Sequence, residues 1–188
     1  MGLFNGQSTN EHGQSAIQAA MRTIEALGLE NFDERAASAI ESAVARSVLS
    51  TPQLHVDKKA GRRVTDERMT QDYGRRALKK SDYIDVTIPF TGNPAAFVLS
   101  PSTKTLGTPG EINDRRDGIV IRFPDNERLE QDLEGAIAQI FQNLGHLERD
   151  MALLATEMRS TLKGVAERRL EKLKTRHDLD SKRSFPIS

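Results

Sequence analysis

The short stretch Leu54-His55-Val56-Asp57-Lys58-Lys59 contains residue types that hydrolytic chemistry uses. A strand followed by Asp57-x-Lys59 matches half of a metal-dependent arrangement, in which the carboxylate binds Mg²⁺ and the lysine steadies the nucleophile. Such a site needs another carboxylate on a preceding strand, but the preceding segment is alanine-rich and predicts a helix. An ordinary charged strand end is therefore the favoured interpretation, and a small enzyme built on Asp57 and Lys59 is the weaker alternative.

The other residue types with catalytic potential are scattered. The four histidines, His12, His55, His146 and His177, show no metal-ligand spacing. The chain has no cysteine, which excludes disulfides, thiolate chemistry and cysteine-ligated zinc. It also lacks a nucleophile elbow, a Walker loop and a dinucleotide-binding glycine motif. We therefore predict no catalytic residue, no metal site and no cofactor.

The segment 57–80 is the most basic part of the chain. It carries nine Lys or Arg and four Asp or Glu, so its net charge is +5. We predict a solvated loop with one or two helical turns around residues 66–78. Nucleic-acid binding is the alternative, because clustered basic side chains can contact phosphates. The candidate residues are Lys58, Lys59, Arg62, Arg63, Arg75 and Arg76.

The composition of the whole chain excludes two kinds of bulk attraction. Its 27 basic and 27 acidic residues cancel, so overall charge does not hold it to nucleic acid or to a membrane. No apolar run approaches the ~18 residues of a transmembrane helix, and the N-terminus does not have the pattern of a secretory signal. The lack of cysteine fits a reducing compartment. We therefore expect a cytoplasmic protein with no membrane partner.

The N-terminal part predicts a tail followed by two helices. Residues 1–13 contain three glycines and are mostly polar, which is typical of a mobile tail. Apolar residues then recur at helical spacing over 14–50, with Ser15 as a candidate helix cap. The alanine-rich faces of these helices favour close packing as a helical pair.

Residues 51–124 predict a small antiparallel ribbon or sheet that contains the basic loop 57–80. Tyr83–Phe90 alternates apolar and polar residues, and Gly118–Phe123 is a second apolar run between turn signals. Residues 53–56 are a candidate third strand. The connection Pro89–Thr103 is rich in both proline and apolar residues, so we predict a rigid, packed corner.

Residues 125–177 predict a long antiparallel helical hairpin, similar to a coiled coil. An apolar stripe runs through the segment, and Asn143-Leu144-Gly145 is typical of a stop and turn. Residues 178–188 are predicted to be a tail, or a linker to a missing domain. The predicted fold class is therefore α+β, with helices at both ends and strands in the middle.

The second arm of this hairpin is predicted to be longer than the first, which leaves apolar residues uncovered. Burying a leucine gains roughly 1.5–3 kcal/mol, so an identical helix in a second chain is the expected cover. We predict a homodimer or a higher even oligomer. The candidate interface residues are Met158, Leu162, Val165, Leu170 and Leu173.

A series of short marks occurs in one order between residues 83 and 187. The marks are Pro89-Phe90-x-Gly92-x-Pro94-x-x-Phe97, Pro101-Ser102-Thr103, the strand 118–123, Arg168-Arg169-x-x-Lys172-Leu173, Asp178-Leu179 and Phe185-Pro186-Ile187. In this order they resemble the middle region of a family of bacterial two-domain proteins. The C-terminal domain of that family is similar to the nucleases of restriction and phage-defence enzymes.

The resemblance implies a role that does not depend on catalysis by this chain. In the family, the region resembled precedes a nuclease-like domain with a Glu-x-Lys core, and this sequence ends where that domain would begin. The chain is then an excised N-terminal half or a stand-alone relative that works with a separate nuclease domain or subunit. We expect a non-catalytic sensing and oligomerisation module of a bacterial defence-type nuclease system. The alternative is a stand-alone nucleic-acid-binding protein that uses residues 58–80.

The resemblance also suggests a purpose for the corner at Pro89–Thr103. By this interpretation, it would lock the ribbon against the base of the helical hairpin.

Overall fold

The computed structural model describes residues 2–72, 75–104 and 107–182. The helices and strands, in chain order, are α1 (Thr9–Glu25), α2 (Phe32–Ser47), β1 (Gln53–Leu54), β2 (Ala60–Asp72), β3 (Arg75–Thr91), β4 (Glu111–Ile112), β5 (Gly118–Pro124) and α3 (Leu129–Ser181). They form two compact units. The sheet unit comprises the chain up to Gln7 together with Ser50–Glu148, and the helical unit comprises Ser8–Leu49 together with the chain from Arg149 onward. The predicted α+β class is confirmed.

The sheet unit contains five antiparallel strands in the order β1-β3-β5-β4, with β2 also paired to β3. The predicted strands at Tyr83–Phe90 and Gly118–Phe123 are confirmed and pair with each other. The candidate third strand is also present, although it is limited to Gln53–Leu54. The core of this unit is formed by one sheet face, the N-terminal residues and the start of α3: Leu3, Phe4, Leu54, Val86, Ile88, Phe90, Phe97, Ile119, Ile121, Phe123, Leu133, Ala136, Ile140 and Leu144.

The basic segment is a long β-hairpin, so the predicted loop with helical turns is wrong. β2 and β3 pair continuously from Ala60↔Thr87 to Asp72↔Arg75. Polar contacts tie the strands together: Thr65 Oγ1 donates a hydrogen bond of 2.7 Å to Asp82 Oδ1. Residues 65–82 lie beyond the part of β3 that pairs with β5. Most of these residues are polar, so the alternation that marks a half-buried strand is missing from the sequence.

The N-terminal residues are packed into the sheet unit, so the predicted mobile tail is wrong. Leu3 and Phe4 are almost fully buried. Phe4 N–H donates to the Phe97 carbonyl at 2.6 Å, and Gly6 N–H donates to the Val98 carbonyl at 2.8 Å. A Cβ atom on Gly6 would lie 2.5 Å from that Val98 oxygen, so only glycine fits this close approach. The burial of two large apolar side chains outweighs the flexibility that the glycines suggest.

The predicted corner is rigid because its aromatic residues enter the core. A 3₁₀ turn at Pro94–Phe97 follows Asn93, whose side-chain oxygen accepts a hydrogen bond of 3.0 Å from Ala95 N–H. The fully buried Phe97 ring contacts Phe90 edge-on, with 4.8 Å between ring centroids, and lies 6.0 Å from Phe4. The corner therefore locks the sheet to the N-terminal segment, in a core that also includes the first turns of α3.

The C-terminal region is one continuous helix of 53 residues, so the predicted antiparallel hairpin is wrong. Asn143 is fully buried, and its amide donates a hydrogen bond of 2.6 Å to Thr108 Oγ1. Leu144 and Leu147 on either side of Gly145 are buried as well. A helical glycine costs about 1 kcal/mol, whereas burying two leucines gains roughly 1.5–3 kcal/mol each. The helix therefore continues through the predicted turn, because the burial of its leucines outweighs the cost of the glycine.

α3 also includes the first four residues of the predicted tail, 178–181, because it runs to Ser181. Residues 183–188, which complete the predicted tail or linker, lie outside the described residues.

The helical unit contains the predicted helical pair, with α1 beginning earlier than expected. The cap is Ser8 rather than Ser15: its hydroxyl accepts from Glu11 N–H, and the Glu11 carboxylate accepts from Ser8 N–H. His12 Nε2 lies 2.9 Å from the Ser47 carbonyl and so links α1 to α2. Thr9 Oγ1 donates to Asp150 of α3 at 2.8 Å, which joins the N-terminal pair to the C-terminal helix.

Candidate functional site

α2 and α3 line a groove of about 470 Å³ in the helical unit. Its apolar lining residues are Phe32, Ala36, Ala37, Ile40, Ala166 and Leu170. Half of these are alanines, whose methyl groups are too short to fill the space between two helices. Ala36 and Ala166 are buried, while Ile40 and Leu170 are half-buried at the surface. The groove therefore presents an open apolar surface that another helix can cover.

Charged side chains surround this apolar surface. Arg159 donates two hydrogen bonds of 2.9 Å to the Glu41 carboxylate, in a bidentate pair at one end of the groove. These bonds lower the pKa of Glu41 and raise the pKa of Arg159. Both side chains are exposed, so the pair adds little to stability. Asp33, Lys163 and Glu167 complete a rim of mixed sign, which favours a partner of matching charge pattern.

The structure divides the five predicted interface residues into two groups. Met158, Leu162 and Val165 are buried inside the helical unit that α3 forms with α1 and α2, so they do not offer a surface to a partner. This corrects the prediction, which placed all three at an oligomer interface. Leu170 and Leu173 are half-buried, and Leu170 lines the groove.

The basic residues of the hairpin are brought close to carboxylates. Arg63 forms an ion pair with Asp125 at 2.8 Å. Arg62 is paired across the strands with Asp85 and favours its ionised form. Lys58 and Lys59 are exposed at the 3₁₀ turn before β2. The side chains of the last two candidates, Arg75 and Arg76, lie outside the described part of the structure.

A polar row crosses the solvent face of the sheet. Arg122 of β5 donates hydrogen bonds of 2.6 and 2.8 Å to the Asp85 carboxylate of β3. These bonds hold the pKa of Asp85 below its usual range and raise the pKa of Arg122. The guanidinium also lies 5.9 Å from the centre of the Tyr83 ring, within the range of a cation–π contact.

This polar row was not among the predicted sites, although the sequence contains a signal for it. Asp85 and Arg122 lie on the polar faces of two strands that were predicted to pair, and they are direct partners in the register. Similarly, Gly74 between two charged runs is a turn signal that favours a hairpin over the predicted loop.

The structure does not place Asp57 at the end of a strand, as the hydrolytic arrangement requires. Asp57 is a residue of the 3₁₀ turn Val56–Lys58, and the strand before it has only two residues. Among the described residues, no group of three or more metal-ligating side chains is placed to hold a metal ion. None of the described helices is both long and apolar enough to cross a membrane.

Comparisons with protein-family models, curated proteins and solved structures give no match for this chain. The groove, the hairpin and the sequence marks between residues 83 and 187 are the features that bear on its function.

Proposed function

We propose that this chain is a non-catalytic sensing and oligomerisation module of a bacterial defence-type nuclease system. The observation that carries the assembly role is the apolar groove between α2 and α3, which has charged residues around its rim. Covering half-buried side chains such as Ile40 and Leu170 with a partner removes their apolar surface from water, which favours binding. The groove is thus suited to binding a helix rather than to chemistry.

The connection to a nuclease is supported by the ordered sequence marks between residues 83 and 187. In the family that these marks resemble, the corresponding region adjoins a nuclease-like domain. By this proposal, the present chain contributes assembly and sensing, while a separate nuclease domain or subunit cuts nucleic acid. It works in the cytoplasm as a dimer or a higher even oligomer.

Phage plating measures this role directly. The chain is expressed in a bacterial host together with the reading frames encoded on either side of it, among which the proposal expects one for a nuclease-like domain. We expect protection against phage, and we expect its loss with Ile40→Glu, which puts a charge into the groove. Leu153→Glu is the matched control, because Leu153 is 70% exposed on α3 and does not line the groove. Equal protection by both variants, or no protection by the wild-type pair, contradicts the proposal.

A cleavage assay tests the absence of catalysis. Purified chain is incubated with plasmid and linear DNA in the presence of Mg²⁺ or Mn²⁺, and both DNAs are expected to stay intact. Cleavage that disappears in the Asp57→Ala variant would instead support the hydrolytic alternative.

A second candidate function is nucleic-acid binding by the β2–β3 hairpin. The observation that favours it is the ribbon itself: residues 65–72 and 75–82 extend as two paired strands beyond the pairing with β5. A two-stranded β-ribbon fits the major groove of DNA, and Lys58 and Lys59 are exposed beside its base. Arg62 and Arg63 contribute less than the sequence suggested, because both face carboxylates.

Salt dependence identifies such binding. If Lys58 and Lys59 contact phosphates, Lys58→Glu with Lys59→Glu should abolish binding of a DNA duplex, and wild-type affinity should fall steeply with salt. Arg22→Glu with Arg35→Glu is the matched control, since it changes the net charge equally at exposed positions of the helical unit. An equal loss of DNA affinity in both double variants would show that only net charge matters, and it would exclude the hairpin as the binding site.

A further inference from the structure

The C-terminal end of α3, residues 168–181, is mostly exposed. Near its start, the Arg169 guanidinium donates hydrogen bonds of 3.3 and 3.0 Å to the Leu27 carbonyl, in the connection between α1 and α2. From residue 171 to the end of the helix, every residue is exposed except Leu173 and Asp180, which are half-buried. The side chains of this end are therefore accessible to a partner in solution.

Three basic residues line one face of this end. Arg168, Lys172 and Arg176 follow one another at intervals of four residues, so their side chains form one row along the helix, about 12 Å long. We call them the basic row. Among the described residues, Arg168 and Lys172 form no ion pair. Arg176 Nε lies 3.9 Å from Asp180 Oδ2, which is a long contact. The basic row therefore keeps most of its positive charge.

The acidic residues of the same end do not neutralise the basic row. Glu171 and Asp178 are seven residues apart, close to two full turns, so they share a face about a third of a turn away from the row. Asp180 lies beside the last residue of the row. Residues 171–181 contain three Lys or Arg and three Asp or Glu. Their net charge is zero, but the two signs are separated around the helix.

The basic row offers charge with little apolar surface around it. Residues 168–181 contain no Trp, Tyr or Phe, and Leu179, which is 55% exposed, is a lone apolar side chain at the surface near the row. A helix that binds a membrane surface needs a broad apolar face beside its basic one, and the centre of a protein–protein interface is rich in aromatic residues. The phosphates of a nucleic acid are held by charge, and such interfaces are polar and basic. A nucleic acid therefore fits the row better than a membrane or a protein.

We infer that the basic row binds the phosphate backbone of a nucleic acid. The guanidinium groups of Arg168 and Arg176 can each donate paired hydrogen bonds to phosphate oxygens, and Lys172 adds a charge between them. Contacts of this kind do not read the base sequence. The inference does not depend on the assembly role of the groove. It also adds a site to the hairpin considered above, because the row lies on the helical unit.

Two neighbouring lysines provide a matched test. Lys172 belongs to the basic row, whereas Lys174 is exposed on nearly the opposite side of the same helix. Fluorescence anisotropy measures binding of a labelled DNA duplex and of a labelled single-stranded RNA over a series of salt concentrations. Lys172→Glu should weaken binding about tenfold and reduce the salt slope by about one, because one phosphate contact is lost. Lys174→Glu makes the same change of charge and should weaken binding less than about threefold.

Three results overturn the inference. The first is a wild-type chain that binds neither probe at about 50 mM salt, where phosphate contacts are strong. The second is an equal loss in Lys172→Glu and Lys174→Glu, which would show that only net charge matters. The third is poly-glutamate that displaces the labelled probe as well as an unlabelled duplex of equal charge does, because the row would then suit an acidic protein.

The same measurement separates the basic row from the hairpin. If Lys58→Glu with Lys59→Glu abolishes binding and Lys172→Glu does not change it, the hairpin is the site and the inference is wrong. Losses in both variants would show that both units contact the nucleic acid, which supports the inference.

The outcome is also independent of the defence role. Binding that depends on Lys172, in a system that gives no protection against phage, supports the basic row and contradicts the proposed function. Protection by a chain that binds neither probe does the reverse.

Discussion

The two units bury apolar surface with different side chains. The core of the sheet unit contains four aromatic rings and several isoleucines. The helical unit instead buries alanines of α1 and α2, including Ala20, Ala36 and Ala43. Large rings and branched side chains fill the space between a sheet and a helix, whereas alanines bring helices close and leave shallow surfaces. The sheet unit therefore has a core filled by large side chains, whereas the helical unit has an apolar groove between α2 and α3.

Each unit also carries one bidentate ion pair on its surface. In the sheet unit Arg122 is paired with Asp85, and in the helical unit Arg159 is paired with Glu41. The carboxylate is less exposed in the sheet unit than in the helical unit. Water therefore screens the ion pair of the helical unit more strongly.

The largest expected effect comes from removing one aromatic ring from the core of the sheet unit. Phe97→Ala should lower the free energy of unfolding by about 3–5 kcal/mol, since it removes a fully buried ring that contacts Phe4 and Phe90. Denaturant unfolding measures the total loss, and amide hydrogen exchange shows where it occurs. Exchange should accelerate in β3 and β5 more than in α1 and α2. Equal acceleration in the strands and the helices would show that the two units do not unfold separately.

Phe141→Ala is the control for ring removal, because Phe141 is 49% exposed. Its loss should cost far less than the loss of Phe97. A comparable cost would mean that burial does not account for the effect.

The next largest effect is expected at the polar contact inside the sheet unit. Thr108→Val removes the hydroxyl that accepts the 2.6 Å hydrogen bond from the buried Asn143 amide. Weakening the hydrogen bonding of this buried amide should cost about 1–3 kcal/mol, measured by denaturant unfolding. Adding Asn143→Leu should recover part of the loss, because the polar group is then no longer buried. If Thr108→Val proves neutral, this contact does not help to fix α3 on the sheet unit.

Local patterns predicted the elements that follow one periodicity. The alternation in Tyr83–Phe90 identified the central strand, and helical spacing identified α1 and α2. The continuity of α3 was also present in the sequence, because Ile140, Leu144, Leu147 and Met151 keep helical spacing through the supposed turn. Asn143 and Gly145 favour a turn by residue type, but the burial of this stripe decides their conformation.

The features that the sequence did not reveal depend on contacts between distant segments. The burial of Leu3 and Phe4 depends on a corner almost a hundred residues later in the chain. The outer part of the hairpin, residues 65–72 and 75–82, pairs mostly polar residues across its strands and so shows no apolar alternation. The groove depends on which faces of α2 and α3 come together, and helical periodicity gives each face but not its neighbour.

A smaller effect, equal in both units, is expected from two helical glycines. Gly145→Ala in the sheet unit and Gly164→Ala in the helical unit should each raise the free energy of unfolding by roughly 0.5–1 kcal/mol. A Cβ atom on Gly145 would meet nothing within 4 Å, and one on Gly164 would meet only Arg168 Nη1 at 3.7 Å. Thermal unfolding measures both gains. A loss at either site would show that the helix there depends on its glycine, and the two halves of α3 would then differ in more than their packing.

The smallest effect concerns the two bidentate ion pairs, one in each unit. Arg122→Gln should raise the pKa of Asp85 toward its ordinary value, and Arg159→Gln should do the same for Glu41. Because folding lowers these pKa values, the stabilisation is present above the unfolded-state pKa of about 4 and disappears as the pH falls through the folded-state pKa. The stability difference between wild type and variant should therefore be largest near neutral pH and should disappear in acid.

Carboxyl NMR titration measures the two pKa values. The shift should be larger for Asp85, whose side chain is 19% exposed, than for Glu41, which is 61% exposed and well screened by water. An equal shift at both sites would show that the sheet surface shields its ion pair no better than the helical surface does.

The long hairpin has a consequence for how the protein behaves at high concentration. Within the described residues, the outer edge of β2 pairs with no further strand, and an open edge of this length is a template for uncontrolled strand addition. Neighbouring residues along this edge alternate between blocks of charge, with Arg62 and Arg63 followed by Asp66 and Glu67. A second hairpin that slides along it brings like charges together in many registers. We therefore expect the charges on this strand to disfavour the addition of a second hairpin at its open edge.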